Sequence, residues 1–137
     1  MTTDLASQNR LIADCLRRAL DDVVAVYRFG STVHAAAART SDTDIAVLTR
    51  ARIPAARRFD LQEQIAGRLG HDVDLVDLAA ASPVLAIQAV ARGELLYEGD
   101  TDGRGRFEDL TFATYARLNE ERRGILDCVA AEGTVYG

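Results

Sequence analysis

The sequence predicts an α/β (α+β) fold, with helices packed on a small β-sheet, and three observations point to it. At 137 residues the chain has the length of one domain built on one core. Some stretches repeat apolar residues at helical spacing, whereas others are short β-branched or aromatic runs bounded by Gly, Pro, Asp or Ser. The two patterns alternate along the chain as α-β-α-β-α-β-α-β-α, the order of a layered helix-and-sheet sandwich. Pattern alone leaves the direction of each strand open.

From about Asp4 to Leu20, Leu5, Ile12, Cys15, Leu16, Ala19 and Leu20 fall mostly on one helical face, leaving Arg10, Arg17 and Arg18 to solvent. Val23 to Phe29 is β-branched and aromatic, a buried strand that stops at the turn-forming pair Gly30-Ser31. Alanine-rich Val33 to Arg39 suits a short helix, and Thr43 to Thr49 has strand composition, a natural neighbour for the first strand. Pro54 opens a helix in which Phe59, Leu61, Ile65 and Leu69 carry the apolar spacing, and Gly70 stops it. A third strand is expected at Asp72 to Leu78. Ser82-Pro83 reads as N-cap and first position of a helix to about Arg92, and Glu94 to Tyr97 as a fourth strand. Gly99 to Gly105 reads as a flexible loop. Beyond it a long terminal helix is expected to cover the sheet with Phe107, Leu110, Leu118, Ile125 and Val129, joined by Phe112 and Tyr115. The chain divides accordingly into a core at 1–98 and a loop with C-terminal helix at 99–137.

Composition narrows the function. With 48% hydrophobic and 27% charged residues the chain has enough apolar surface to fold, which excludes intrinsic disorder. Sixteen basic residues, all arginine, against 21 acidic ones give a net charge of −5, which argues against nonspecific binding to duplex nucleic acid. A local nucleotide site remains compatible with that balance. Cys15 and Cys128 lack the spacing of a zinc site or disulfide framework and are expected to be buried thiols. Without a signal-like leader or a long apolar run, the expected location is the cytoplasm and no membrane partner is expected.

Chemistry concentrates in three short segments. Asp42 and Asp44 are two apart in a strand, so their carboxylates leave from one face and are able to share a hard cation such as Mg²⁺. A third carboxylate is expected from Asp74, whose neighbours Val73 and Leu75 point to the core; Asp72 shares its face and is the fallback, while Asp77 faces the other way and caps the next segment. Gly30-Ser31 ends a strand and opens a helix, so backbone N–H groups and the Ser31 hydroxyl are placed to meet phosphate. A phosphate cradle beside a pair of metal-binding aspartates suits in-line displacement at a nucleotide α-phosphorus with two metal ions, which is nucleotidyl transfer. His71 reads as a solvated loop residue, and Arg57-Arg58 and Arg122-Arg123 as solvent-facing helix charges.

The spacing Gly30-Ser31, ten residues, Asp42-Thr43-Asp44, followed by Asp74, resembles the GS-x10-DxD signature of the nucleotidyltransferase superfamily that includes DNA polymerase β. Within it the chain resembles the minimal nucleotidyltransferases, in particular the MntA-type antitoxins encoded beside HEPN toxins. The resemblance runs from the first strand through Glu94-Leu-Leu-Tyr-Glu98 to the long C-terminal helix. It implies a nucleotidyltransferase fold with a small mixed sheet flanked by helices. It also implies transfer of AMP from ATP, with Mg²⁺ or in its place Mn²⁺, to a tyrosine of the partner HEPN ribonuclease toxin. Asp42, Asp44 and Asp74 take the catalytic and metal-binding positions, and Gly30 and Ser31 the nucleotide site. The chain departs from the family pattern GSxARG at Thr32-Val33-His34-Ala35, where His34 stands in the arginine position and offers a weaker, pH-dependent phosphate contact that Arg39 is placed to supplement. Two other readings compete. One is nucleotidyl transfer to a small molecule such as an aminoglycoside, for which the chain is short; the other is an antitoxin that acts by binding alone and retains a vestigial site.

Overall fold

The computed structural model describes residues 4–30 and 43–131, with side chains as far as 124. The short helix expected at Val33 to Arg39, the side chains of Ile125, Cys128 and Val129, and the residues Ser31, His34, Arg39 and Asp42 lie outside them. The described residues form four strands and four α-helices in the order α1 (Leu5–Ala19), β1 (Val23–Phe29), β2 (Thr43–Thr49), α2 (Ala55–Leu69), β3 (Val73–Asp77), α3 (Pro83–Arg92), β4 (Glu94–Glu98) and α4 (Thr101–Ala131).

Local chemistry explains most of the boundaries. Asp4 caps α1 by accepting the Ser7 N–H at 2.8 Å, and hydrogen bonds from the Ser7 side chain and then its N–H hold the Asp4 carboxyl below the usual range. Gly70 ends α2 in the left-handed region at φ 80°, where a side chain would be strained. Ser82 caps α3 ahead of Pro83 by accepting the Leu85 N–H at 3.2 Å.

The sheet order is β3-β2-β1-β4. β1 is antiparallel to both β2 and β4, while β2 and β3 run parallel, joined by α2 as crossover. The sheet is therefore mixed. Alternation along the strands splits the core in two. Val26, Ile45, Val47, Val73 and Leu75 face α1 and α2, packing on Ile12, Leu16, Leu61 and Ile65. Tyr27, Phe29, Ala46 and Leu48 face the other way, packing with Leu78 on Ala86 and Ala89 of α3 and on Phe107 of α4. The outer edge of β3 is closed by α2: Gln62 accepts the Leu75 N–H at 2.9 Å, and Arg58 donates to the Leu75 carbonyl at 3.0 Å. Arg58 is thus half-buried and engaged, not a solvent-facing charge.

Three further expectations are corrected. Gly99 to Gly105 is not a loop, because α4 begins at Thr101 and takes in both Gly103 and Gly105. Asp100 overrides the glycine-rich composition: its carboxylate accepts the Gly103 N–H at 3.1 Å, and its carbonyl accepts the Arg104 N–H at 2.9 Å. A Cβ at Gly103 would stand 2.7 Å from Asp100 Oδ2, so the glycine leaves room for the capping carboxylate. The helix does not lay its whole apolar set on the sheet either. Phe107 packs on the core and Thr111, one turn on, is buried, but Leu110 is 65% exposed and Phe112 46% because they lie to either side of that stripe, and Leu118 is 37% exposed farther along a helix of 31 residues, about 46 Å. Cys15 is half-buried against the core rather than fully enclosed, since it sits at the margin of the inward stripe led by Ile12 and Leu16. Among the described residues no helix is long and apolar enough to cross a membrane.

Candidate active site

The site is built at one end of the sheet, where β1 finishes and β2, β3 and β4 begin. Phe29 pairs with Asp44, and Asp44 pairs with Asp74, so the last residue of β1 and the second residues of β2 and β3 form one row across three strands. Register partners send their side chains to the same face. For Asp44 and Asp74 this is the face of Ala46 and Leu48, on the α3 and α4 side of the sheet. Neighbouring strands lie about 4.8 Å apart, so Asp44 and Asp74 are adjacent register partners whose side chains leave the same face, Asp44 half-buried and Asp74 exposed. Two carboxylates on one face of adjacent strands offer oxygen donors to a hard cation.

Gly30 follows directly at φ 90°, a conformation suited to glycine. A Cβ at that position would overlap Asp44 Oδ2 and stand 2.9 Å from Asp44 Cγ. The bare α-carbon of Gly30 is what lets the Asp44 carboxylate lie against the turn. Of the residues expected in the site, the structure thus brings together Gly30, Asp44 and Asp74. Ser31, His34, Arg39 and Asp42 lie outside the described residues. Among the described residues no group of three or more His, Cys, Asp or Glu is arranged to hold a metal. The Asp44–Asp74 pair nevertheless has the right donor chemistry, because carboxylate oxygens on adjacent strands suit a hard divalent cation that keeps several waters.

The alternative aspartates have other surroundings. Asp72 is exposed on the approach to β3, and its carbonyl accepts the Thr43 N–H at 3.0 Å. Asp77 is buried and accepts N–H bonds from Ile53 at 2.9 Å and Ala79 at 3.1 Å, the capping role expected of it. His71 is a correction. It is half-buried with Nε2 2.7 Å from Thr43 Oγ1, because β3 enters the sheet directly beside β2.

Sequence reasoning passed over Arg28. This residue is 4% exposed on the α1 and α2 face, directly behind the aspartate row. It donates to Asn9 Oδ1 at 2.9 Å, Gln8 Oε1 at 3.2 Å and Thr43 Oγ1 at 3.3 Å, and desolvation lowers its pKa below the usual arginine range. The available signal was a lone arginine inside an apolar strand, Val-Val-Ala-Val-Tyr-Arg-Phe. A cavity of about 540 Å³ at the far end of the sheet, bordered by Arg17, Arg50, Tyr97 and Asp100, does not compete with this site. Two of its arginines are already engaged: Arg50 pairs with Asp22 at 3.1 Å and Asp100 at 2.8 Å, and Arg17 stacks 4.4 Å over Tyr97.

Residues 11–102 match the family model described as polymerase beta, nucleotidyltransferase. The chain is 37% identical over 125 residues to the protein adenylyltransferase MntA of Shewanella oneidensis, covering 91% of this chain and 88% of the relative. Among solved structures, a toxin–antitoxin with AMP-PNP superposes with a TM-score of 0.78 at 36% identity, covering 89% of this chain and 98% of the other. The tri-AMPylated Shewanella oneidensis HEPN toxin in complex with its MNT antitoxin gives a TM-score of 0.75 at 35% identity, covering 90% and 96%.

Proposed function

The chain belongs to the polymerase β nucleotidyltransferase family, and from that premise we propose that it is a protein adenylyltransferase, the antitoxin that transfers AMP from ATP to a tyrosine of a partner HEPN toxin. The observation that carries this reading is the register pairing of Asp44 with Asp74 beside Gly30, in a chain similar over nine-tenths of its length to a protein adenylyltransferase. Similarity to a toxin–antitoxin with AMP-PNP, and to an antitoxin complexed with an AMPylated toxin, supports both the nucleotide and the acceptor. The exposed Leu110, Phe112 and Leu118 of α4 favour a protein partner over a small molecule.

Gly30 and Ser31 hold the triphosphate through backbone N–H groups and the hydroxyl, His34 adds a weaker, pH-dependent phosphate contact and Arg39 a cationic one. Asp42, Asp44 and Asp74 are the ligands of Mg²⁺, with two ions and Mn²⁺ as a substitute. When bound, the metal supplies positive charge that offsets the charge developing on the α-phosphoryl oxygens and on departing pyrophosphate. The acceptor tyrosine oxygen forms a bond to the α-phosphorus as the bond to the bridging oxygen of pyrophosphate breaks, and Asp74 takes the tyrosine proton. Residues 1–98 act as the catalytic core, with the C-terminal helix as part of the same unit, and the reaction is placed in the cytoplasm with ATP.

Incubation of the purified chain with ATP, Mg²⁺ and the toxin encoded beside it tests the proposal. Intact-mass measurement of the toxin should show added AMP, and Asp42→Asn or Asp44→Asn should abolish it. No added mass with Mg²⁺ or Mn²⁺ refutes the catalytic reading, and toxin neutralisation that persists in both variants selects the binding-only antitoxin.

A further inference from the structure

Behind the aspartate row, three side chains from three sheet segments are linked on the opposite face. Arg28 of β1 donates to Thr43 Oγ1 of β2 at 3.3 Å, and that oxygen lies 2.7 Å from Nε2 of His71, two residues before β3. Having accepted from the guanidinium, the Thr43 hydroxyl is able to donate its proton to His71 Nε2. The Thr43 N–H is pinned as well, to the Asp72 carbonyl at 3.0 Å. Arg28 also reaches Gln8 and Asn9, which anchors the row to the first turns of α1, and Asn9 in turn donates to Glu94 Oε1 at 3.4 Å.

Burying an arginine is costly, and this one has no carboxylate within ion-pair distance and no partner for Nε among the described residues. A tyrosine or valine would suit a buried strand better if packing were the only demand. The guanidinium is instead spent on Thr43, which is fully buried and immediately precedes Asp44. Because side chains alternate, whatever holds Thr43 on one face sets where Asp44 emerges on the other.

We propose that Arg28, acting through Thr43, is a positioning residue that locks the start of β2 against the start of β3 and so sets the separation of Asp44 from Asp74. The inference rests on the reading of these aspartates as a metal site. The clamp is to that site what an outer-shell partner is to a metal ligand, whose loss weakens metal binding by about 10- to 100-fold.

The test is Mn²⁺ binding, followed by the electron paramagnetic resonance of free Mn²⁺, to the full chain in the presence of AMP-PNP. Thr43→Val keeps the branched shape and removes the link, and Arg28→Met keeps the buried stem and removes the donors. Each should weaken Mn²⁺ binding about tenfold, and the double variant should be no worse than the weaker single one. Should Arg28→Met fail to fold, Thr43→Val carries the test alone. Wild-type affinity in a folded Thr43→Val, even with a lowered Tm, overturns the clamp while leaving the metal site standing. A wild-type chain that binds no more Mn²⁺ than Asp44→Asn overturns the metal site and the clamp with it.

Discussion

Replacing Gly30 with alanine tests the point where backbone conformation and the candidate site meet. At φ 90° an alanine pays about 1–2 kcal/mol of backbone strain. Its Cβ would also overlap Asp44 Oδ2 and stand 2.9 Å from Asp44 Cγ and 3.2 Å from Asp44 Cβ. The last of these contacts involves the base of the side chain, so rotation of the carboxylate alone does not relieve the crowding. Asp44 Cβ must give by a few tenths of an ångström and its Oδ2 must move by about 1 Å, and a misplacement of that size in a reacting site costs about 100-fold in rate. The expected outcome is therefore a loss of about 100-fold in AMP transfer, measured by intact mass against time. The Tm should fall by roughly 3–8 °C, from about 1–2 kcal/mol in a domain of this length. Gly67→Ala is the matched control. It lies on an exposed position of α2 where an added Cβ would meet nothing within 4 Å, and should raise stability by about 0.5–1 kcal/mol without changing transfer. Transfer within twofold of wild type in Gly30→Ala would refute the view that the glycine makes room for Asp44.

Asp74→Asn should abolish transfer and leave the Tm unchanged. Asp77→Ala should lower stability by about 1–3 kcal/mol, through the stranded N–H groups of Ile53 and Ala79, while activity per folded molecule persists; thermal melts paired with the mass assay check both. Tyr27→Phe removes the hydroxyl that donates to Glu108 at 2.7 Å and should cost about 0.5–1.5 kcal/mol in urea unfolding, Glu108 keeping its 2.8 Å bond from Arg104. In the native chain, burial and the Glu108 carboxylate push the Tyr27 pKa well above its ordinary value, so the phenol stays protonated through the neutral range. At the start of α4, the Gly103 N–H holds the Asp100 carboxyl below its ordinary 3.8, and Thr101 with Arg104 holds Glu98 below 4.5. Folded values below unfolded ones mean that these carboxylates stabilise the helix start above the ordinary values, and that the contribution is lost as pH falls through the folded ones. Amide-exchange protection at Gly103 and Arg104 should accordingly hold at about pH 6 and drop near pH 3.

How much of this could be read from the residues alone depended on the range of the forces involved. The pattern Val-Asp-Leu-Val-Asp placed Val73 and Leu75 inward and Asp74 outward because strand alternation is local, and the caps at Ser82 and Gly70 were legible for the same reason. Spacing likewise picked out Gly30, Asp44 and Asp74 as one site. It could not supply the pairing of Asp44 with Asp74, since a register between parallel strands is decided by how all their apolar side chains share one core. The same holds for Arg28, whose burial follows from α1 closing over β1 and β2 with Gln8 and Asn9 in place to receive it. It holds also for α4, where a glycine-rich run became helix because Asp100 capped it and Phe107 had a core to join. Periodicity and end-capping chemistry belong to a few neighbouring residues and are written in the chain. Register, buried charge and the fate of a marginal helix end are set by contacts distant in sequence, and only the tertiary structure decides them.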